Sequence, residues 1–342
     1  MAQSEQLPVV LLTGFLGSGK TRLLNALLKT PGFAHTAVIV NEFGEIGLDH
    51  ALVESSADNV VLLEAGCLCC TIADSLHETL ADLQLRRTRG EVPGFKRVVI
   101  ETTGLADPAP ILNTLLGNRL ITDHYRLDAV VVTADALHFL EQLERYREVA
   151  KQVAVADRLV ITKTDLASAA QLGAVRARLA GLNPRARVFE SRPGDAALAS
   201  FSPSDPLQAR AVPLEEPGHA HRRDVNRHDE HIIAHAVVLD GPVSWSGIAA
   251  WCRIVVDRLG DRLLRCKGLV EIAESGEVVF LQGVQRVFHT PERLAHWPDA
   301  DRRSRLVCIT RDVDPAELRS LLPALKLPAG SDPHVRLEDL VP

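Results

Sequence analysis

Directly after the first apolar run of this sequence stands G-F-L-G-S-G-K-T, from Gly14 to Thr21, and a helical run, R-L-L-N-A-L-L, follows. The spacing G-x-x-x-x-G-K-[ST] has a mechanism. Gly14, Gly17, Ser18 and Gly19 form a loop whose backbone N–H groups can turn inward around phosphates, and the helix N-terminus adds its dipole. Lys20 is placed to reach β- and γ-phosphates and Thr21 to give its hydroxyl to Mg²⁺, while Arg22 begins the helix. The plain alternative is a glycine-rich turn that binds nothing. A strand before and a helix after favour the phosphate loop.

Two later strand ends carry matching chemistry. The run V-V-I-E-T-T-G places Glu101 where an acid can orient a Mg²⁺ shell, and Gly104 where its amide can meet a γ-phosphate. The run L-V-I-T-K-T-D ends on Asp165, which can accept from the N1–H and N2 amine of guanine while the Lys163 stem packs on the base. Adenine has no such pair of donors, so the carboxylate favours GTP over ATP. The usual guanine motif begins with asparagine, and Thr162 stands in that place.

Soft ligands are crowded into G-C-L-C-C, where Cys67, Cys69 and Cys70 fall within four positions. Three thiolates so close can close on one ion, and such sets favour Zn²⁺, Co²⁺ or Cu⁺ over Mg²⁺ or Ca²⁺. A core cluster is the alternative, although adjacent Cys69 and Cys70 cannot face one way in a strand. Upstream, N-E-F-G-E-I-G-L-D combines flexible glycines with Glu42, Glu45 and Asp49. Such a segment suits a loop ordered by Mg²⁺ and γ-phosphate and released on hydrolysis, or an ordinary acidic surface loop. Cys252, Cys266 and Cys308 stand singly in apolar surroundings and read as core. His219, His221, His228 and His231 lie in a charged, proline-flanked tract that can collect metal weakly or serve as a solvated linker.

These residues need positioning elements, and the hydrophobic pattern supplies them. Short apolar runs begin at Val9, Ala37, Val60, Val98, Ala129 and Leu159, alternating with amphipathic stretches. That is how βα units read when a parallel sheet is buried on both faces. A proline-, serine- and histidine-rich stretch then precedes a strand at I-I-A-H-A-V-V-L-D and a helix from about Ser244 to Arg258. Two strands follow, L-L-R-C-K-G-L-V-E-I and E-V-V-F-L-Q-G-V-Q-R-V-F, then R-L-V-C-I-T and a helix opened by Asp314-Pro315. The expected organisation is an α/β nucleotide domain over 1–190, a linker over 191–230, a small α+β domain over 231–325 with helices on one side of its sheet, and a tail over 326–342.

With 342 residues, 46% apolar and 24% charged, the chain can bury a sizeable core and lies far from the disordered class. Lysine and arginine number 38 against 44 acids, a net charge of −6 that argues against nucleic acid as the main partner. No apolar run approaches the roughly 18 residues of a membrane helix, and no basic residue precedes the first apolar run as in an export signal. The six cysteines do not form a secreted disulfide framework. A cytoplasmic protein without membrane attachment is the expectation.

Taken in order, G-F-L-G-S-G-K-T, N-E-F-G-E-I-G-L-D, G-C-L-C-C and E-T-T-G-L-A-D-P resemble the CobW-like family of P-loop GTPases, relatives of the nickel-insertion GTPases for hydrogenase and urease. L-L-R-C-K-G and F-L-Q-G-V-Q-R resemble its C-terminal domain, so the likeness covers nearly the whole chain. It implies a P-loop NTPase fold with a CobW-type C-terminal domain, slow GTP hydrolysis, divalent metal at C-x-C-C, and delivery of that metal to a client apo-metalloprotein. Two positions depart from the pattern. Val40 replaces a glutamate that can ligate metal, leaving Glu42, Asp49 or water for the fourth place, and Arg22 replaces a second threonine after Thr21. Two other classes remain: a P-loop small-molecule kinase with Arg86–Arg89 as its phosphate lid, and a thiol redox sensor on a nucleotide-binding fold.

Overall fold

All six apolar runs of the first half become strands: β1 (Leu7–Gly14), β2 (Thr36–Asn41), β3 (Val60–Glu64), β4 (Arg97–Thr102), β5 (Tyr125–Asp135) and β6 (Arg158–Thr162). A computed structural model describes residues 6–41, 60–64, 72–191, 201, 232–332 and 334. Its chain divides into two units, one built on a parallel sheet and one on an antiparallel sheet. A further strand, β7 (Arg187–Glu190), extends the parallel sheet at its edge. Its residues are exposed or half-buried, so it lacks the continuous apolar run that marks the central strands.

The strand order is β3-β2-β4-β1-β5-β6-β7, with every pair parallel. Central β1 lies between β4 and β5, which places the loop after it where the order of connections reverses. Ligands of open α/β sheets bind outside the strand carboxyl ends at such a point. Helix α1 (Lys20–Leu28) buries Leu23, Leu24, Leu27 and Leu28, spaced to line one helix face. That face joins Val10, Leu12, Val38, Val99, Val131 and Val160 in one core cluster. Phe33 meets Phe201 edge-to-face in the same cluster, with centroids 5.7 Å apart. The opposite sheet face, with Val9, Leu11 and Ile100, is equally buried. It needs the cover of α3 (Pro108–Gly117) and α6 (Arg147–Val155), whose Leu112 and Val153 are buried. Between them in the chain lie α4 (Arg119–Thr122) and α5 (Phe139–Arg145), while α2 (Ile72–Arg89) precedes β4 and α7 (Ala169–Leu182) follows β6.

The second unit is antiparallel. Strands β8 (Ile232–Val238), β9 (Leu263–Glu271), β10 (Val278–Val284), β11 (Val287–Phe288) and β13 (Arg305–Arg311) run in the order β11-β10-β9-β13-β8, and β12 (Glu292–Leu294) pairs with β10. Helix α8 (Trp245–Leu259) packs Ile248, Trp251, Val255 and Leu259 onto the face that presents Cys266, Leu281 and Cys308. Ser244 caps it by accepting from Gly247 N at 2.9 Å and donates to Leu327 O, tying the helix start to the chain end of this unit. Asp314 caps α9 (Pro315–Ser320) by accepting from Ala316 N at 2.7 Å. The expected single strand through Phe288 is instead a hairpin: the chain reverses at Gln285 and Arg286, and Gln285 has φ 50°. Neither glycine nor asparagine marks that turn, which removes the usual signal for positive φ.

Burial in this unit sets an acid limit on stability. His289, on the strand side opposite Gln282, is pushed down from 6.5 to about 4, first by burial and then by the Arg265 charge. Its folded pKa lies below its unfolded one, so the unfolded chain takes up the proton first. Stability is full above about pH 6.5 and falls as pH drops toward about 4, by about 3 kcal/mol at about 1.4 kcal/mol per unit. Thermal melts between pH 7 and 4.5 should show this loss, and His289→Gln should flatten it. An unchanged slope in the variant would assign the loss to other groups.

Candidate functional site

Strand carboxyl ends gather the chemistry. At the end of β1, Gly14 adopts φ 141°, and a methyl group there would lie 2.3 Å from Thr133 Oγ1 and 2.6 Å from its carbonyl oxygen. Gly17 and Gly19 adopt φ 71° and 85°, left-handed conformations that L side chains rarely take. The resulting loop and the strand end that feeds it are held by hydroxyls from three strands. Ser18 Oγ lies 2.6 Å from Thr133 Oγ1, Thr162 Oγ1 donates to Ser18 O at 2.7 Å, and Thr102 Oγ1 donates to Thr13 Oγ1 at 2.7 Å. The first two bonds fix the loop against β5 and β6, and the third ties β4 to the end of β1 that feeds it.

Lys20, largely buried, donates through Nζ to Gly14 O at 2.9 Å and Phe15 O at 3.4 Å, so its ammonium is folded back across the loop. Thr21 Oγ1 donates to Glu101 Oε1 at 2.6 Å. A hydroxyl and a carboxylate from α1 and β4 therefore stand together although eighty residues separate them. Arg22 points to the exposed flank of α1. Gly104 follows β4, and a methyl group there would meet Leu16 N at 2.5 Å, so its backbone runs directly against the phosphate loop. Buried Gln152, on α6, donates to Gly104 O and Ala106 O, each at 3.2 Å, and steadies that crossing.

At the end of β6, Lys163 has φ 55° and donates from Nζ to Asp135 Oδ2 at 2.7 Å. Asp135 closes β5 and also contacts His138 Nδ1 at 2.9 Å and accepts from Leu137 N at 2.8 Å. Burial pushes its pKa up, but the hydrogen bonds from Lys163, His138 and Leu137 outweigh that and hold it below the usual carboxylate range. Asp165, two positions past Lys163, is exposed. The thiols of Cys266 and Cys308 lie 3.6 Å apart in the core of the second unit, and Cys252 packs against the same cluster. The Cys308 contact and burial both raise Cys266, and burial pushes Cys252 up to about 12, so Cys266 and Cys252 remain protonated packing residues.

Gly14, Gly17, Ser18, Gly19, Lys20, Thr21, Glu101, Gly104, Lys163 and Asp165 thus share one end of the parallel sheet. Cys67, Cys69, Cys70, Glu42, Glu45, Asp49 and the four histidines of the 219–231 tract lie outside the described residues. Among the described strands, Val40 pairs with Glu101 on one side and Glu64 on the other, so β2 lies between the Glu101 strand and the edge strand β3. Among the described residues no group of three or more histidine, cysteine or acidic side chains could hold a metal ion. Nor is any described helix long and apolar enough to cross a membrane. Arg86–Arg89 cannot serve as a phosphate lid. They end α2 where Arg87 stacks over Phe95 at 5.3 Å, just ahead of β4 and at the sheet end opposite the glycine loop.

A parallel sheet whose central strand feeds a glycine loop and then a helix defines the P-loop nucleoside triphosphatase class. Within that class, the chain belongs to the CobW/HypB/UreG family: residues 8–190 match its nucleotide-binding domain, and residues 232–326 match the cobalamin synthesis protein cobW C-terminal domain. The zinc chaperone YjiA of Escherichia coli is 34% identical over 319 residues, covering 93% of this chain and 98% of that protein. The zinc chaperone CobW of a Sinorhizobium species is 27% identical, covering 95% and 98%. A zinc-regulated GTPase metalloprotein activator of Schizosaccharomyces pombe is 33% identical over 197 residues, 56% of this chain and 47% of that one. The crystal structure of Zn(II)-bound YjiA GTPase superposes with a TM-score of 0.70 at 29% identity, covering 94% of this chain and all of that one.

Proposed function

We propose that this chain is a GTP-hydrolysing zinc chaperone, which binds Zn²⁺ at Cys67, Cys69 and Cys70 and delivers it to a client apo-metalloprotein under control of its nucleotide state. The observation that carries the reading is the 2.6 Å meeting of Thr21 and Glu101 beside the inward-folded Lys20, on a chain whose relatives are named as zinc chaperones and GTPases.

The chemistry follows from the residues. Backbone N–H groups of the loop from Gly14 to Gly19 hold the β- and γ-phosphates, and Lys20 exchanges its carbonyl partners for phosphate oxygens, neutralising charge that develops on them. Thr21 and Glu101 form a pair of hard oxygen donors that fits Mg²⁺. Bound there, Mg²⁺ supplies positive charge to the β- and γ-oxygens. Gly104, its backbone against the loop and its carbonyl bonded to Gln152, is placed to offer its amide to the γ-phosphate. Lys163 and Asp165 read the guanine.

The three cysteines leave one coordination place for Glu42, Asp49 or water, and the same thiolates take Co²⁺ in place of Zn²⁺. Free thiolates need a reducing compartment, which makes the cytoplasm the place of action. Residues 1–190 form the nucleotide domain, 191–230 a linker, 231–325 the C-terminal domain and 326–342 a tail. The kinase reading loses its lid, because Arg86–Arg89 sit at the far end of the sheet.

Base reading has a direct test. Asp165→Asn replaces one carboxylate acceptor with a donor facing the guanine donors, so the preference for GTP over ATP should fall roughly tenfold or more. Competition of GTP and ATP for the wild-type and variant proteins measures it. Equal binding of the two nucleotides by the wild type would reject guanine recognition.

A further inference from the structure

We propose that Asp135 is a positioning residue for the guanine base, acting by pinning the Lys163 ammonium so that the lysine stem lies fixed along the face on which the base rests. This rests on the GTP reading above. Four observations carry it. Asp135 is 1% exposed and stands in register with Thr162, the residue before Lys163, so the β5 and β6 ends bring the carboxylate to the lysine. The Lys163 Nζ to Asp135 Oδ2 distance is 2.7 Å, and the lysine side chain stays 30% exposed beyond the carboxylate. His138 Nδ1 lies 2.9 Å from the same Oδ2 and Leu137 N donates to Oδ1 at 2.8 Å, so both carboxylate oxygens are held in place. Lys163 itself is held at φ 55°, a left-handed backbone that a non-glycine residue adopts only at a cost.

Neither the strain nor the buried charge is explained by packing. A buried ion pair is a poor stabiliser compared with an apolar pair of the same volume, and strained backbone persists where the surroundings over-determine it. Base recognition supplies a reason. A free lysine side chain loses much rotamer entropy when it is ordered. With its far end already bonded to Asp135, most of that cost falls on folding rather than on nucleotide binding. The left-handed turn at Lys163 lets its side chain return to β5 while Asp165 remains exposed beside it.

Asp135→Asn keeps the shape and removes the charge. Its GTP affinity should fall about tenfold with kcat at saturation within about twofold, since the phosphates and their partners are untouched. Inorganic tripolyphosphate, which has no base, should compete against it as it does against the wild type. Lys163→Met keeps most of the stem and removes the ammonium, so it should show the same tenfold loss, and the double variant should be no weaker than either single one. If Asp135→Asn does not fold, as circular dichroism will tell, Lys163→Met decides alone through the same GTP and tripolyphosphate affinities. Wild-type GTP affinity in the folded variants, or losses that simply add in the double variant, would overturn the proposal. Asp165→Asn separates the two levels. A lowered GTP preference there with no effect at Asp135 and Lys163 rejects the positioning role alone, whereas no effect at all three rejects guanine recognition and the proposal with it.

Discussion

Lys20→Ala is expected to reduce Mg²⁺-dependent GTP turnover on the order of 10³-fold or more, to the background of a phosphate-release assay. The magnitude follows from what the lysine does. Removing a single preorganised donor from a developing oxyanion costs roughly 10²- to 10³-fold, and Lys20 brings a full charge to the β- and γ-phosphates in a shielded site. Preorganisation is visible in the structure: Nζ is held 2.9 Å from Gly14 O and 3.4 Å from Phe15 O, inside the loop rather than in solvent. Those carbonyls are weak partners compared with a triphosphate, so the ammonium needs only a short movement to engage it. Alanine removes the charge and leaves the glycine backbone intact, so the variant should fold and melt close to the wild type. Turnover within twofold of the wild type would remove the phosphate-loop assignment altogether.

How far the residues alone reveal this site depends on the kind of signal each carries. Strands buried on both faces must be apolar throughout, which is why the runs at Val9, Ala37, Val60, Val98, Ala129 and Leu159 stand out and why half-exposed β7 does not. The glycine loop is legible because its backbone needs φ of 71° at Gly17 and 85° at Gly19, which glycine alone takes without cost. The hydroxyl clamp around the loop is hidden for the opposite reason. Thr13, Thr102, Thr133 and Thr162 are ordinary strand formers, and only the order β4-β1-β5-β6 brings their side chains together at the loop and the strand end that feeds it. Asp135 is concealed likewise. At the end of an apolar run it reads as a residue beginning a loop, and its bond to Lys163 becomes apparent only when β5 and β6 pair. The contact between Cys266 and Cys308 depends on a long-range register in the same way.

The second large effect is expected at the cysteines. The protein should bind one Zn²⁺ or Co²⁺ tightly through Cys67, Cys69 and Cys70, and Cys69→Ala should lose that binding. With Co²⁺, thiolate coordination gives charge-transfer absorption and intense tetrahedral ligand-field bands, which the variant should lack. Metal requires deprotonated thiolates, so affinity should rise with pH until the cysteines are ionised. Retention of the cobalt spectrum in Cys69→Ala would move the site elsewhere. A thiol redox sensor, by contrast, would show no stoichiometric cobalt spectrum.

Position links this metal to the nucleotide. The segment with Glu42 and Asp49 follows β2 in the sequence and the cysteines follow β3, and β2 pairs both with β3 and with the Glu101 strand that faces Thr21. On the proposed function, a γ-phosphate that orders the segment after β2 is expected to alter the zinc affinity of the cysteines after β3. Couplings of about 1 to 3 kcal/mol, typical between linked sites, correspond to roughly 5- to 150-fold changes in affinity, and they are reciprocal. The decisive measurement is the Zn²⁺ dissociation constant of the wild-type chain by competition with a chromophoric chelator, loaded in turn with GDP and with a non-hydrolysable GTP analogue. A difference of at least about fivefold between the two states is expected, matched by an equal effect of Zn²⁺ on nucleotide affinity. Equal zinc affinities would contradict nucleotide-controlled delivery and leave a structural zinc site, because a ligand that binds two states alike cannot shift the balance between them.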